Sequence, residues 1–154
     1  MLHELTGDLP GFRSAHFAEG VNVVVARQDR KPAVEGGRNP VGKTSFVRLL
    51  DFLLGSDVRT GNPLLRAELA DTRFELDLDL GGRTATVGRG AESLMQATVD
   101  DTAMKLPRFR THLGKELFGL TGEGNEPSYR SVVAYYVRDV TVGGFSSPTV
   151  TSLT

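Results

Sequence analysis

Apolar and polar positions change their period several times along this chain, and each change marks an element. Phe46, Leu49, Leu50 and Leu53 fall at i, i+3, i+4 and i+7, one apolar face at the helical repeat. Gly55 follows and predicts the stop, because glycine accepts the left-handed conformation that ends many helices. From Phe74 the period becomes two. Phe74, Leu76, Leu78 and Leu80 alternate with Glu75, Asp77 and Asp79, which predicts a half-exposed strand with its acids toward solvent. Gly81-Gly82 predicts a two-residue hairpin turn, with Arg83 to Val87 as the return strand. Upstream, residues 13–28 read as a hairpin or two short strands. Phe17-Ala18-Glu19-Gly20 is the expected turn. Val21-Asn22-Val23-Val24-Val25-Ala26 is a continuous run suited to a strand buried on both faces. Residues 29–41 are polar and rich in Gly and Pro, hence a loop.

The second half is less regular. A strand is expected near Ala97 to Val99, and a helix over residues 108–120 on Leu113, Leu117, Phe118 and Leu120. Ser128 is placed to cap a helix running to about Arg138, with Val132, Val133, Tyr136 and Val137 inward. Residues 141–154 are Gly, Ser, Thr and Pro with few apolar groups, and read as a flexible tail or the start of a further segment. The expectation is an α/β domain over residues 1–140: strand, glycine-containing loop, helix, then a β-meander with flanking helices.

Composition narrows the classes. The chain has 154 residues and a net charge of −1. Its isoelectric point near 6.3 argues against a strongly basic nucleic-acid protein, though not against a local basic patch. Cysteine is absent, so there is neither a disulfide framework nor a thiolate metal site, which suits the cytoplasm. No apolar run approaches the roughly 20 residues that cross a bilayer, and Met1-Leu2-His3-Glu4 lacks the basic start of a signal peptide. No membrane role is expected. With 18 glycines, at least one site built from backbone is expected.

One motif carries chemistry. Gly37-Arg38-Asn39-Pro40-Val41-Gly42-Lys43-Thr44 matches G-x-x-x-x-G-K-[ST] at every fixed position, the Walker A phosphate loop. Gly37 and Gly42 permit backbone angles that a Cβ would hinder, so successive N–H groups can turn around an anion. The helix that follows points its unpaired N–H groups and positive dipole end at the phosphates. Lys43 would reach the β- and γ-phosphates of ATP, and the Thr44 hydroxyl would join the Mg²⁺ shell. Ser45 supports the first turn. The alternative is a glycine-rich turn in front of an ordinary helix.

From Phe17 to Gly55 the sequence resembles the amino-terminal half of an ABC-type ATPase head of the SMC and RecN kind. The likeness lies in Gly20-Val21-Asn22-Val23-Val24-Val25, then Asn39-Pro40-Val41-Gly42-Lys43-Thr44-Ser45, then a helix ending in Leu54-Gly55. Pro127 to Ser131, Val137-Arg138, Gly143-Gly144-Phe145 and the loop of residues 29–36 are similar to bacterial SMC-like ATPases, some of them parts of multi-component defence systems. The resemblance implies a P-loop ATPase lobe that binds ATP and Mg²⁺. It implies a second half or a homodimer as partner, with downstream work on DNA or on a defence-system protein. Such heads carry Walker B, a signature loop and a switch histidine in that second half. None of these occurs here, and Val142-Gly143-Gly144 only echoes the signature. Asp139 follows an apolar run, but the spacing there is helical. Neither Gln28 nor Gln96 stands where a Q-loop glutamine is readable.

The remaining candidates read as surface. Arg59, Arg66 and the stretch Lys105, Arg108, Arg110, His112 and Lys115 around Phe109 could meet phosphates, yet at these spacings they suit a solvated face. Arg30 and Arg38 flank the phosphate loop, and Arg38 is the better placed of the two to touch nucleotide. His3, His16 and His112 lack metal-ligand spacing. Two other functions stay open: a small self-sufficient P-loop kinase, and a non-catalytic interaction module with a vestigial phosphate loop.

Overall fold

A computed structural model of the chain describes residues 1–24, 43–58 and 62–137. These residues form an α/β protein with one six-stranded antiparallel sheet and three α-helices. The strands are β1 (Leu2–Gly7), β2 (Ala15–His16), β3 (Arg73–Leu80), β4 (Arg83–Gly90), β5 (Gln96–Val99) and β6 (Thr102–Lys105). The helices are α1 (Lys43–Leu53), α2 (Leu106–Phe118) and α3 (Tyr129–Tyr136). Strand order is β2-β1-β3-β4-β5-β6, so the last four form the expected meander.

The alternation in β3 sets the sheet's two faces. Phe74, Leu76, Leu78 and Leu80 are buried; Ala85 and Val87 of β4, Ala97 and Val99 of β5 and Leu5 of β1 lie on the same side. Glu75, Asp77 and Asp79 point the other way, as the sequence predicts. They face Thr6 and Glu4 of β1 and Gly88, Thr86 and Thr84 of β4. Gly81 and Gly82 both have positive φ, 60° and 81°, which fits the twist of a tight hairpin.

Three strands differ from the sequence reading. β1 was not expected, because its register shifts between Leu2 and Glu4. That bulge puts Leu2 and Leu5 on one face at a spacing of three, where a strand pattern requires two. Asp100 and Asp101 adopt positive φ (46° and 64°) without glycine and turn the chain into β6. The expected strand from Val21 is corrected: Val21 to Val24 carry no strand, and Val21, Val23 and Val24 are 92%, 77% and 53% exposed. Residues 25 and 26 of that run lie outside the described part. The turn before it does form, closed by the Asn22 side chain, which accepts from the Ala18 N–H at 2.9 Å and donates to the Ala18 carbonyl at 2.8 Å.

The helices cover the apolar face of the sheet. α1 buries Leu49, Phe52 and Leu53. α2 buries Leu106, Phe109 and Leu113 and stops at Gly119 with φ 67°, so Leu120 falls outside the helix but still packs on the core. α3 opens with Ser128 accepting from the Ser131 N–H at 3.1 Å, the predicted cap. Its buried residues are Tyr129 and Val133, while Tyr136, expected inward, is exposed.

Candidate functional site

α1 begins at Lys43, the motif's lysine. The first N–H groups of a helix have no intrahelical acceptor, and α1 carries no acidic residue in its first turn to neutralise that positive end. Ser45 is exposed. Gly37, Arg38, Asn39, Pro40, Val41 and Gly42 lie outside the described residues, as do the side chains of Lys43 and Thr44. Half a turn on, Phe46 packs against Phe17 just past β2, ring centroids 6.1 Å apart. Phe17 itself is fixed by its N–H on the His3 carbonyl at 2.8 Å. The start of α1 is thereby tied to β1 and β2.

The other end of α1 is held more elaborately. Gly55, at φ 85°, donates to the Phe52 carbonyl at 2.9 Å, and Ser56 donates to Asp51 at 3.0 Å, the paired bonds of a glycine-terminated helix. The last turn of α1 has no basic residue of its own. Arginines from three other elements supply the charge that its negative end favours. Arg89 of β4, 1% exposed, donates to the carbonyls of Phe52, Ser56 and Leu94, and its guanidinium carbon lies 4.0 Å from the centre of the Phe52 ring. Arg110 of α2 donates to the Gly55 carbonyl and to Asp57, both at 2.7 Å. Arg130 of α3 donates to the Leu54 carbonyl at 3.0 Å and to Asp51 at 2.6 Å.

Burial lowers the pKa of Arg89 to about 10, with Arg110 nearby acting in the same direction. It therefore remains a cation at neutral pH. Its Nε and the buried Tyr129 hydroxyl have no hydrogen-bond partner among the described residues. A buried unpaired polar group costs about 1–3 kcal/mol. Burial also pushes the Tyr129 phenol upward.

The surface candidates sort themselves. Phe109 is fully buried, so it offers no ring to a nucleic acid. Arg110, expected on a solvated face, instead bonds the end of α1. Lys105, Arg108 and Lys115 are exposed, His112 is half-buried, and Arg66 is exposed. Arg30, Arg59, Gln28 and Asp139 lie outside the described residues. His3 pairs with Asp79 at 2.6 Å and His16 with Glu4 at 3.5 Å. No group of three or more His, Asp or Glu residues suits a metal ion among the described residues. No helix among them is long and apolar enough to cross a membrane.

Arg89 was missed in the sequence although a signal existed. It stands in phase with Ala85 and Val87, on the inward side of β4. The chain matches no protein-family model, and searches of curated proteins and of solved structures give no match.

Proposed function

We propose that this chain is a nucleotide-binding lobe of a P-loop ATPase, taking ATP with Mg²⁺ at Gly37 to Ser45. The observation that carries the reading is the complete Walker A sequence running directly into a helix that starts at the motif's lysine. The backbone N–H groups from Gly37 to Gly42 would cradle the phosphates. The Lys43 ammonium would balance charge on the β- and γ-phosphates, and the Thr44 hydroxyl would be a Mg²⁺ ligand. Mg²⁺ supplies charge neutralisation on the transferred phosphoryl group. This chain's own part is to bind and orient.

Turnover belongs to a second half or a second head that brings Walker B and a signature loop. All the described strand pairs are antiparallel, so the reading rests on the motif and the helix that follows it rather than on the sheet. In this reading the nucleotide is a switch that brings two heads together in the cytoplasm, with the output acting on DNA or on a defence-system partner. The support for that output is the resemblance to SMC-like ATPases.

The test is a titration of fluorescent ATP with Mg²⁺ into the chain and into Lys43→Ala, each checked for folding by circular dichroism. Saturable binding that falls at least about tenfold in Lys43→Ala is expected, since a phosphate loop without its lysine loses a charge-assisted contact. Binding weaker than about 1 mM in the parent chain, only about 4 kcal/mol, would overturn the reading.

A further inference from the structure

The outermost strands of an open sheet keep backbone groups that have no partner within it. At one end β2 is only two residues long. At the other, β6 has four residues and pairs with β5 alone among the described strands. Its neighbours fix where its backbone groups point. The Leu106 N–H donates to the Met95 carbonyl at 2.8 Å, and the Asp100 N–H donates across the other side of β5 to Thr86 at 2.9 Å. Backbone groups turn to alternate sides along a strand. Those of Thr102 and Met104 therefore face β5, and those of Ala103 and Lys105 face away from the sheet. Thr102, Ala103 and Lys105 are exposed.

Lysine on an edge normally keeps other strands off. The turn that leads into β6 carries the opposite charge. Asp101 is exposed, and its side chain has no partner among the described residues. The same is true of the Lys105 side chain. Asp101 also holds a φ of 64°, which is costly for a residue with a Cβ. Strain kept where the side chain serves nothing within its own chain points to a task outside it.

We propose that β6 is the self-pairing edge of a homodimer, in which two copies join antiparallel through Ala103 and their sheets become continuous. The free backbone groups set the register. With Ala103 on the two-fold axis, each Ala103 donates its N–H to the carbonyl of the other, and Lys105 of each copy lies opposite Asp101 of the other. Both charges are then matched, twice by symmetry. Centring the pair on Met104 would lay Lys105 against Ala103 and leave them unmatched, and it could extend no further because α2 begins at Leu106. Asp101 also arrives at the entry to α2, which has no side-chain cap and no acidic residue in its first turn. A carboxylate is favourable at that end of a helix. The pairing uses neither the Walker motif nor nucleotide.

Sedimentation velocity on the full chain without nucleotide, from about 5 µM to about 0.5 mM, tests this. A reversible monomer–dimer equilibrium is expected. Ala103→Pro removes an N–H that the sheet itself does not use, so circular dichroism should be unchanged. The dimer should weaken at least about tenfold, because two symmetry-related hydrogen bonds are lost. Asp101→Lys should weaken it as well, and combining that change with Lys105→Asp should restore it, which a purely structural role for either residue would not do. The chain has no cysteine, so Ala103→Cys carries a single thiol. Paired Cα atoms about 5.5 Å apart suit a disulfide. Mild oxidation should link Ala103→Cys copies at least about tenfold faster than Glu123→Cys copies, whose thiol is exposed beyond the far end of α2. A chain that stays monomeric throughout would overturn the proposal and leave the edge to a strand of another protein. A dimer that neither Ala103→Pro nor the charge changes weaken, or one that forms only with Mg-ATP, would overturn it by placing the contact on another face.

Discussion

Arg89 shows how much one side chain can organise. A buried guanidinium is normally matched to a carboxylate. Here it is matched to three backbone carbonyls and an aromatic face, at the junction of β4, the end of α1 and the turn around Leu94. Removing it would leave those acceptors buried without a donor. Arg89→Leu should therefore lose about 3 kcal/mol of stability, read as a fall in the urea midpoint. Arg89→Lys should lose less, since an ammonium keeps the charge but cannot span the same acceptors. A loss below about 0.5 kcal/mol in Arg89→Leu, the range of an ordinary surface change, would show that the carbonyls find other partners. This residue was legible in principle, because its phase in β4 matches that of Ala85 and Val87. An arginine in an apolar phase is easily read as lying beyond the strand, whereas β4 runs on through it to Gly90.

At the scale of elements, legibility followed periodicity and turn chemistry. α1, β3, the Gly81-Gly82 turn and the Ser128 cap are written in residue type and spacing alone. β1 is not, because its bulge breaks the alternation, and β6 is not, because its turn is made by two aspartates where glycine or asparagine is usual. Asp100 has a reason to be there: its carboxylate accepts the Thr86 N–H at 3.0 Å and pairs with Arg83 at 2.6 Å. Asp101 is exposed, and its φ of 64° is strained for a residue with a Cβ. Asp101→Gly should stabilise the chain by about 0.5–1 kcal/mol, seen as a higher denaturant midpoint at unchanged slope. A lower midpoint would mean that glycine's extra freedom in the unfolded chain outweighs the relief of strain. Within the candidate site, the motif was plain in the sequence. What it could not convey was the far end of the helix, where the partners come from residues 89, 110 and 130, brought together only by the sheet and its covering helices.

For the whole molecule, three surface carboxylates contribute to stability in a pH-dependent way. Asp79 is held below the ordinary carboxylate range by His3 and the N-terminal amine. Asp100 is held there by the Thr86 N–H and then Arg83, and Glu126 by the N–H groups of Gly122 and Thr121. A carboxylate whose pKa is lower in the folded state binds protons later than it does in the unfolded chain. Its contribution is complete above the unfolded value, near 4, and is lost as pH falls through the folded one. The thermal midpoint should be flat from neutral pH to about 5 and then decline below about 4. Asp100→Asn should lower the plateau and shallow the decline. An acid limb of unchanged steepness in that variant would assign the loss to other groups. Because all three carboxylates are at the surface, solvent screens their pairing, and added salt should shrink the effect.

The pairing of β1 with β3 also sets a schedule. Strands β3 to β6 join neighbours a few residues away, but Leu2 lies opposite Leu78. Closing that pair encloses about 75 residues, and the entropy of so long a loop must be met before the contact rewards it. The meander can form locally and offer the open edge of β3 as a template. β1, made before its partner β3, is thus among the last of the described strands to find its place. At roughly 5–20 residues per second it waits several seconds for its partner to be made. During that interval its unpaired edge is open to any other chain within reach.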